Sequence, residues 1–145
     1  MRKVILAGIL AALCSAALAV PASASFDSHF TVFENARFHV LSNERVFTVR
    51  GGLYEPLNHD DRVGSDHSRC RIAKEEVLRC RGVIHLNGEI GGSGDIKLRG
   101  NIRKHDFRLN VTGGSGDFNG VAGKLVFEYL NKEGSKTLDR FSLVR

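Results

Sequence analysis

Few side chains in this chain combine the right type with the right neighbours for chemistry, and they gather toward its second half. Phe127 and Tyr129 alternate with Glu128 in an apolar run, so one face offers two aromatic rings and a phenol to a ligand. That hydroxyl could equally bond a wall carbonyl. Glu128 and Arg140 lie among Val126, Leu138 and Val144. If their faces turn inward, they form an ion pair able to anchor a carboxylate or phenol; if outward, they are surface charges. His85 shares a face with Val83 and offers an imidazole for proton transfer, or serves as a hydrogen-bonded wall residue.

Other chemistries fail at identifiable positions. His59-Asp60-Asp61 and Asp66-His67 hold five potential metal ligands, but their spacing fits no compact site and they read as a turn entering a strand. No metal and no cofactor is expected. Ser93 and Ser115 lack the strand-turn-helix setting of a nucleophile elbow. Asn110-Val111-Thr112 is a glycosylation sequon within a core-like strand, which argues against its use. Cys70 and Cys80 have neither a neighbouring His nor a C-x-x-C frame, so a catalytic thiol is disfavoured. Each lies in a β-like run, and a hairpin between the runs would bring the sulfurs into bonding range. A structural disulfide follows.

The pentapeptide Gly91-Gly92-Ser93-Gly94-Asp95 recurs as Gly113-Gly114-Ser115-Gly116-Asp117. Read as a phosphate loop ending at Gly123-Lys124, the second copy has Phe118 where glycine is needed and Leu125 where Ser or Thr is needed. Read as a dinucleotide fingerprint from Gly114, it meets Asn119 instead of glycine, and no helical pattern follows. The glycines therefore read as backbone devices, supplying positive φ, bulges and tight bends to a curved sheet.

The elements that must position these residues are strands. Apolar residues alternate with polar ones through Phe30, Val32, Phe38 and Val40, again through Phe107, Leu109 and Val111, and again from Val121 to Tyr129. Turn residues punctuate the pattern at Gly51-Gly52, 58–61, Asn87-Gly88 and 131–134. Strands are predicted near 29–34, 37–42, 45–50, 61–72, 76–86, 89–99, 101–112, 121–130 and 136–145, with 74–78 as the one short helix-like stretch. Eight or nine short, evenly spaced strands imply a sandwich or a closed barrel, and closure removes exposed edges. The loop 53–60, with Tyr54 and Pro56, is a candidate lid over a barrel mouth.

Ahead of this pattern, Arg2 and Lys3 precede an apolar run from Val4 to Val20, then Pro21-Ala22-Ser23-Ala24. This reads as a cleaved signal peptide over 1–24 and predicts a secreted protein with one domain at 25–145. Stable membrane insertion is not expected, since no stop-transfer flank follows. The leader removes Cys14 and two cations, leaving an even cysteine pair, as export favours, and lowering the formal charge from +5 to +3. Arg37, Arg50, Arg62, Arg79, Arg99 and Arg140 are scattered among acids in sequence, which reads as a solvated surface and predicts no nucleic-acid partner.

The run from Leu109 through Gly113-Gly114-Ser115-Gly116, Phe118 and Ala122-Gly123 resembles the strand-loop-strand signature of the allene oxide cyclase and dirigent barrels. The stretch 62–70 ending at Cys70 resembles that family's cysteine-bearing strand, and Cys80-Arg81-Gly82 with Gly88-Glu89-Ile90 resembles its next hairpin. The likeness spans about 62–144. It implies an all-β, eight-stranded antiparallel barrel of calycin-like form with an apolar small molecule in its lumen, and a homo-dimer or trimer among the assemblies the family uses. It also implies cofactor-free cyclisation, isomerisation or coupling, in which the barrel holds one reactive conformer. The catalytic acids of the plant members match no positions here. Three functions compete: a lumen-acting enzyme or guide, a binding barrel without catalysis, and a structural barrel filled with side chains. A buried polar group with a shifted pKa in an open lumen favours the first, an open apolar lumen the second, a filled lumen the third.

Overall fold

The alternating pattern resolves into eight strands in a computed structural model that describes residues 26–41, 45–73 and 77–145. They are β1 (His29–Leu41), β2 (Val46–Tyr54), β3 (Arg62–Ile72), β4 (Leu78–Asn87), β5 (Ser93–Ile102), β6 (Arg108–Gly114), β7 (Ala122–Tyr129) and β8 (Lys136–Val144). Each pairs antiparallel with its neighbours in sequence, and β1 pairs with β8 to close the barrel. The expected leader 1–24 and most of the helix-like stretch 74–78 lie outside the described residues.

The predicted strands 29–34 and 37–42 are one element. Asn35 and Ala36 break nothing, because Asn35 pairs with both Gly52 and Lys136 at the point where β1 passes from one partner to the other. The first part of β1 closes against β8 and the rest pairs with β2, so a single long strand is what shuts the barrel. Cys70 and Cys80 are paired in the β3–β4 register and joined by a disulfide. Closing so short a loop stabilises by roughly 2–3 kcal/mol, chiefly by restricting the unfolded chain.

The lumen has two unlike halves. At the end formed by the β2–β3, β4–β5 and β6–β7 connections it is filled by Val32, Leu53, Val63, Leu86, Phe118 and Leu143, all almost completely buried. Phe30 stacks on Phe141 there, with ring centres 4.6 Å apart. This end is also where the glycine pentapeptides meet. Ser93 N–H donates to Asp117 Oδ2 (2.9 Å), Asp95 N–H to Ser115 Oγ (3.2 Å) and Ser115 N–H to Asp95 O (2.9 Å). A Cβ on Gly94 would collide with the Ser115 carbonyl, and one on Gly116 with the Ser93 carbonyl. Both have positive φ, 132° and 60°, a region favourable only to glycine. The repeat is thus two bends packed reciprocally, backbone against backbone.

The segment proposed as a lid does something else. His59 stacks on Phe33, 3.9 Å between ring centres, on the opposite face of β1 from Val32 and Glu34. The segment 54–60 contributes no residue to the lumen cavity described next and clothes the outer wall instead.

Candidate acid-floored lumen

The other half of the lumen is open and contains a cavity of about 100 Å³, or about 670 Å³ counting the mouth. It lies toward the β1–β2, β3–β4, β5–β6 and β7–β8 connections. Its walls are mostly apolar, with Phe38 and Phe47 on one side and Phe127 and Tyr129 on the other. Phe127, Tyr129 and Phe107 form a trio with ring centres 5.0–5.7 Å apart, Tyr129 edge-on to both phenylalanines and the two phenylalanines tilted against each other.

Within this apolar wall stand three carboxyl groups: Glu34 from β1, Asp66 from β3 and Asp139 from β8, all buried. Among the described residues, no Lys, Arg or His lines the cavity with them. Strand register explains how they come together. Thr137 lies opposite Glu34 across β8–β1, and Gly51 lies opposite Asp66 across β2–β3. A Cβ on Gly51 would collide with Glu34 Oε1, so the bare backbone at Gly51 leaves β1's carboxyl room to lie across β2. Gly82 does the same for the Ser68 hydroxyl.

Two hydroxyl groups serve this cluster. Ser68 donates to Asp66 Oδ1 (2.8 Å). Thr137 Oγ1 donates to Asp139 Oδ1 (2.7 Å) and lies 3.4 Å from Glu34 Oε2. A hydroxyl has one hydrogen, so Thr137 serves Asp139 at the shorter distance and leaves Glu34 poorly served. Glu34 Oε1 is buried without a conventional partner. An ionised oxygen there would bear the full desolvation cost.

Burial, followed by the charges of Asp139 and Asp66, pushes the Glu34 carboxyl up to about 10. Burial raises Asp66 to about 7 against the opposing bond from Ser68, and raises Asp139 to about 6 against the bond from Thr137. The Tyr129 phenol is also raised, first by burial and then by the charges of Glu34 and Asp139. These shifts favour the protonated acid at Glu34 and leave Asp139, the least raised of the three, best able to accept a proton near neutrality.

Of the residues read from the sequence as ligand contacts, Phe127 and Tyr129 line the cavity. His85, Glu128 and Arg140 do not. They occupy the outward parity of β4, β7 and β8. His85 Nδ1 meets Asp95 Oδ1 at 2.8 Å, and Arg140 meets Glu128 at 3.0 Å, with all four side chains well exposed. The bond to His85 holds the Asp95 carboxyl below its usual range. The Asp66-His67 pair is split by strand alternation, Asp66 facing in and His67 out. Glu34 and Asp139 escaped the sequence reading. Their signal was parity, since Glu34 shares a face with Val32 and Ala36, and Asp139 with Phe141 and Leu143. An acid on the apolar face of a strand marks a buried carboxyl.

No protein-family model matches the chain, and no curated protein matches it in sequence. Solved structures do match. A pyocyanin demethylase superposes with a TM-score of 0.62 at 17% identity, over 80% of this chain and 99% of that one. Two pterocarpan synthase dirigent proteins superpose at 14% identity, over 82% of this chain and 83% and 93% of theirs, with TM-scores of 0.60 and 0.61. At such identities the likeness is one of fold: the chain forms the same type of closed eight-stranded barrel as these dirigent proteins and this demethylase.

Proposed function

We propose that the open half of the lumen binds a small apolar molecule, about the size of one aromatic ring system, and that Glu34 serves as a general acid toward it. The observation that carries this reading is the cluster of three buried carboxyl groups, Glu34, Asp66 and Asp139, which faces an apolar cavity with no basic group among the described residues that line it. Retaining three acids in an apolar lumen is costly. Of the three functions, an open lumen with shifted acids favours the enzyme or guide over an inert carrier or a filled barrel. The family resemblance and the structural neighbours agree with work on a small molecule, and the disulfide agrees with export.

The chemistry such a site supports is acid-assisted isomerisation or ring opening. Glu34 gives its proton to an epoxide, ether or hydroxyl oxygen as the carbon–oxygen bond breaks. A proton then returns to the carboxylate cluster from the rearranged product, so no co-reactant is consumed. The aromatic walls hold the ligand in one orientation, and the closed half stops it sliding deeper.

Two measurements test this. The uncharged probe N-phenyl-1-naphthylamine should bind saturably to the wild type, and Val49→Trp, which fills the cavity from β2, should weaken it at least tenfold. Isomerisation of styrene oxide to phenylacetaldehyde should be accelerated by the protein and slowed about 100-fold or more by Glu34→Gln, the usual reach of general acid catalysis, with probe affinity retained. Probe binding that ignores Val49→Trp overturns the lumen site. Acceleration unchanged in Glu34→Gln overturns the acid.

A further inference from the structure

The arginines that are dispersed in sequence are gathered by strand register. On the outer wall, Arg69 lies opposite Arg81 across β3–β4, and Arg81 lies opposite Arg99 across β4–β5. One step toward the mouth, Arg71 faces Arg79; on the other side of the row, Arg37 faces Arg50, which faces His67. Neighbouring strands are about 4.8 Å apart, so the row presents guanidinium groups at sheet spacing. Like charges directly opposite one another destabilise a sheet. None of these arginines takes part in the ion pairs found among the described residues. The Cys70–Cys80 bond lies between the Arg69–Arg81 and Arg71–Arg79 pairs and fixes the hairpin that carries both.

Together with Arg45, the side chains of Arg69, Arg71, Arg79, Arg81 and Arg99 border a groove of about 830 Å³ on this wall. It is separate from the lumen cavity, sharing with it only the two cysteines of the barrel wall. Its remaining polar lining is Asn101, Asn110 and Thr112, which offer amide and hydroxyl groups. Among the described residues no aromatic side chain lines it, so these residues offer no stacking platform of the kind single-stranded nucleic acid uses. A duplex is too wide to enter a groove between side chains. Guanidinium groups fit oxyanions, while amide and hydroxyl groups fit sugar hydroxyls.

From this arrangement we infer that the β3–β5 outer wall is a binding groove for an acidic polysaccharide bearing sulfate or phosphate esters. The site does not depend on what the lumen does. It would hold the barrel at an anionic matrix while the mouth stays open to small molecules.

The test uses the purified, oxidised protein with heparin as the probe. Chemically desulfated heparin, a 20-base-pair duplex DNA and phosphatidylglycerol vesicles serve as alternatives. Heparin should bind with strong salt dependence, and desulfated heparin at least tenfold more weakly. Arg69→Ser/Arg81→Ser/Arg99→Ser should weaken heparin binding at least 30-fold and lower the salt slope by about two, at roughly 0.7 per charge lost. The same variant should melt no lower than wild type, because it relieves repulsion. Lys136→Ser/Arg140→Ser, on β8, should bind heparin as the wild type does. Unchanged heparin affinity in the triple variant overturns the groove. Tighter binding of the duplex or the vesicles than of heparin overturns the polysaccharide. If the triple variant fails to fold, Arg81→Glu alone decides between the same outcomes.

Discussion

The two halves of the lumen are built from the same eight strands and use glycine for opposite ends. In the closed half, Gly94 and Gly116 let backbone lie on backbone, and large apolar side chains fill what remains. In the open half, Gly51 and Gly82 leave space that polar side chains occupy, the Glu34 carboxyl over one and the Ser68 hydroxyl over the other. One end is filled by buried apolar side chains and buries little that is polar. The other keeps three carboxyl groups in an apolar wall around a cavity. Stability is concentrated in the first and given up in the second, which is where a protein that works on a ligand is expected to carry its unfavourable groups.

Disturbing the closed half should cost most. Gly94→Val places a branched side chain against the Ser115 carbonyl at a φ of 132°, so collision and backbone strain combine. A loss of about 2–4 kcal/mol is expected, read as a lower denaturant midpoint at unchanged slope. Full retention of stability would mean that the two pentapeptides do not bear on each other as described.

The open half should reveal itself through pH. Glu34, Asp66 and Asp139 release their protons at about 10, 7 and 6 in the folded chain, against ordinary values of 4.5, 3.8 and 3.8 once unfolded. Above those ordinary values the folded chain holds more protons than the unfolded one, so stability falls as pH rises. The fall is steepest between about pH 4.5 and 6, where all three contribute, and continues more gently toward pH 10. Each proton held only by the folded state is worth about 1.4 kcal/mol per pH unit. The melting temperature should therefore be higher at pH 5 than at pH 8. Glu34→Gln should flatten that profile and raise stability at pH 8, because an amide needs no proton to donate to the neighbouring aspartates. A melting temperature that climbs from pH 5 to pH 8 would contradict the buried cluster.

Sequence periodicity was enough to read the strands, because alternation is a local property, but it left sandwich and barrel both open, and the eight-stranded barrel was legible only through the family resemblance. The β3–β4 disulfide was legible without it: two cysteines in adjacent β-runs need only a hairpin to meet. The acid cluster and the arginine wall were not legible. Both depend on register between strands, and Glu34, Asp66 and Asp139 are separated by 32 and 73 residues in sequence. His85, Glu128 and Arg140 drew attention because their strands are apolar on both sides of them. Only closure decides which side is the lumen.

The smallest expected difference is also the most local, since Glu128 and Tyr129 are adjacent in β7 and face opposite ways. Glu128 pairs with Arg140 in solvent, where such a bond contributes between zero and about 1 kcal/mol. Glu128→Gln should leave the affinity for N-phenyl-1-naphthylamine unchanged. Tyr129 lines the cavity, packs on Phe107 and Phe127, and has its phenol raised by burial and then by the charges of Glu34 and Asp139. Tyr129→Phe keeps the ring and removes only the hydroxyl, so about 0.5–1.5 kcal/mol of binding should be lost if that group meets the ligand. The fluorescence titration that measures probe affinity reads both variants. An effect at Glu128 equal to or larger than that at Tyr129 would place binding on the outer wall, and the division between a closed half that stabilises and an open half that binds would fail with it.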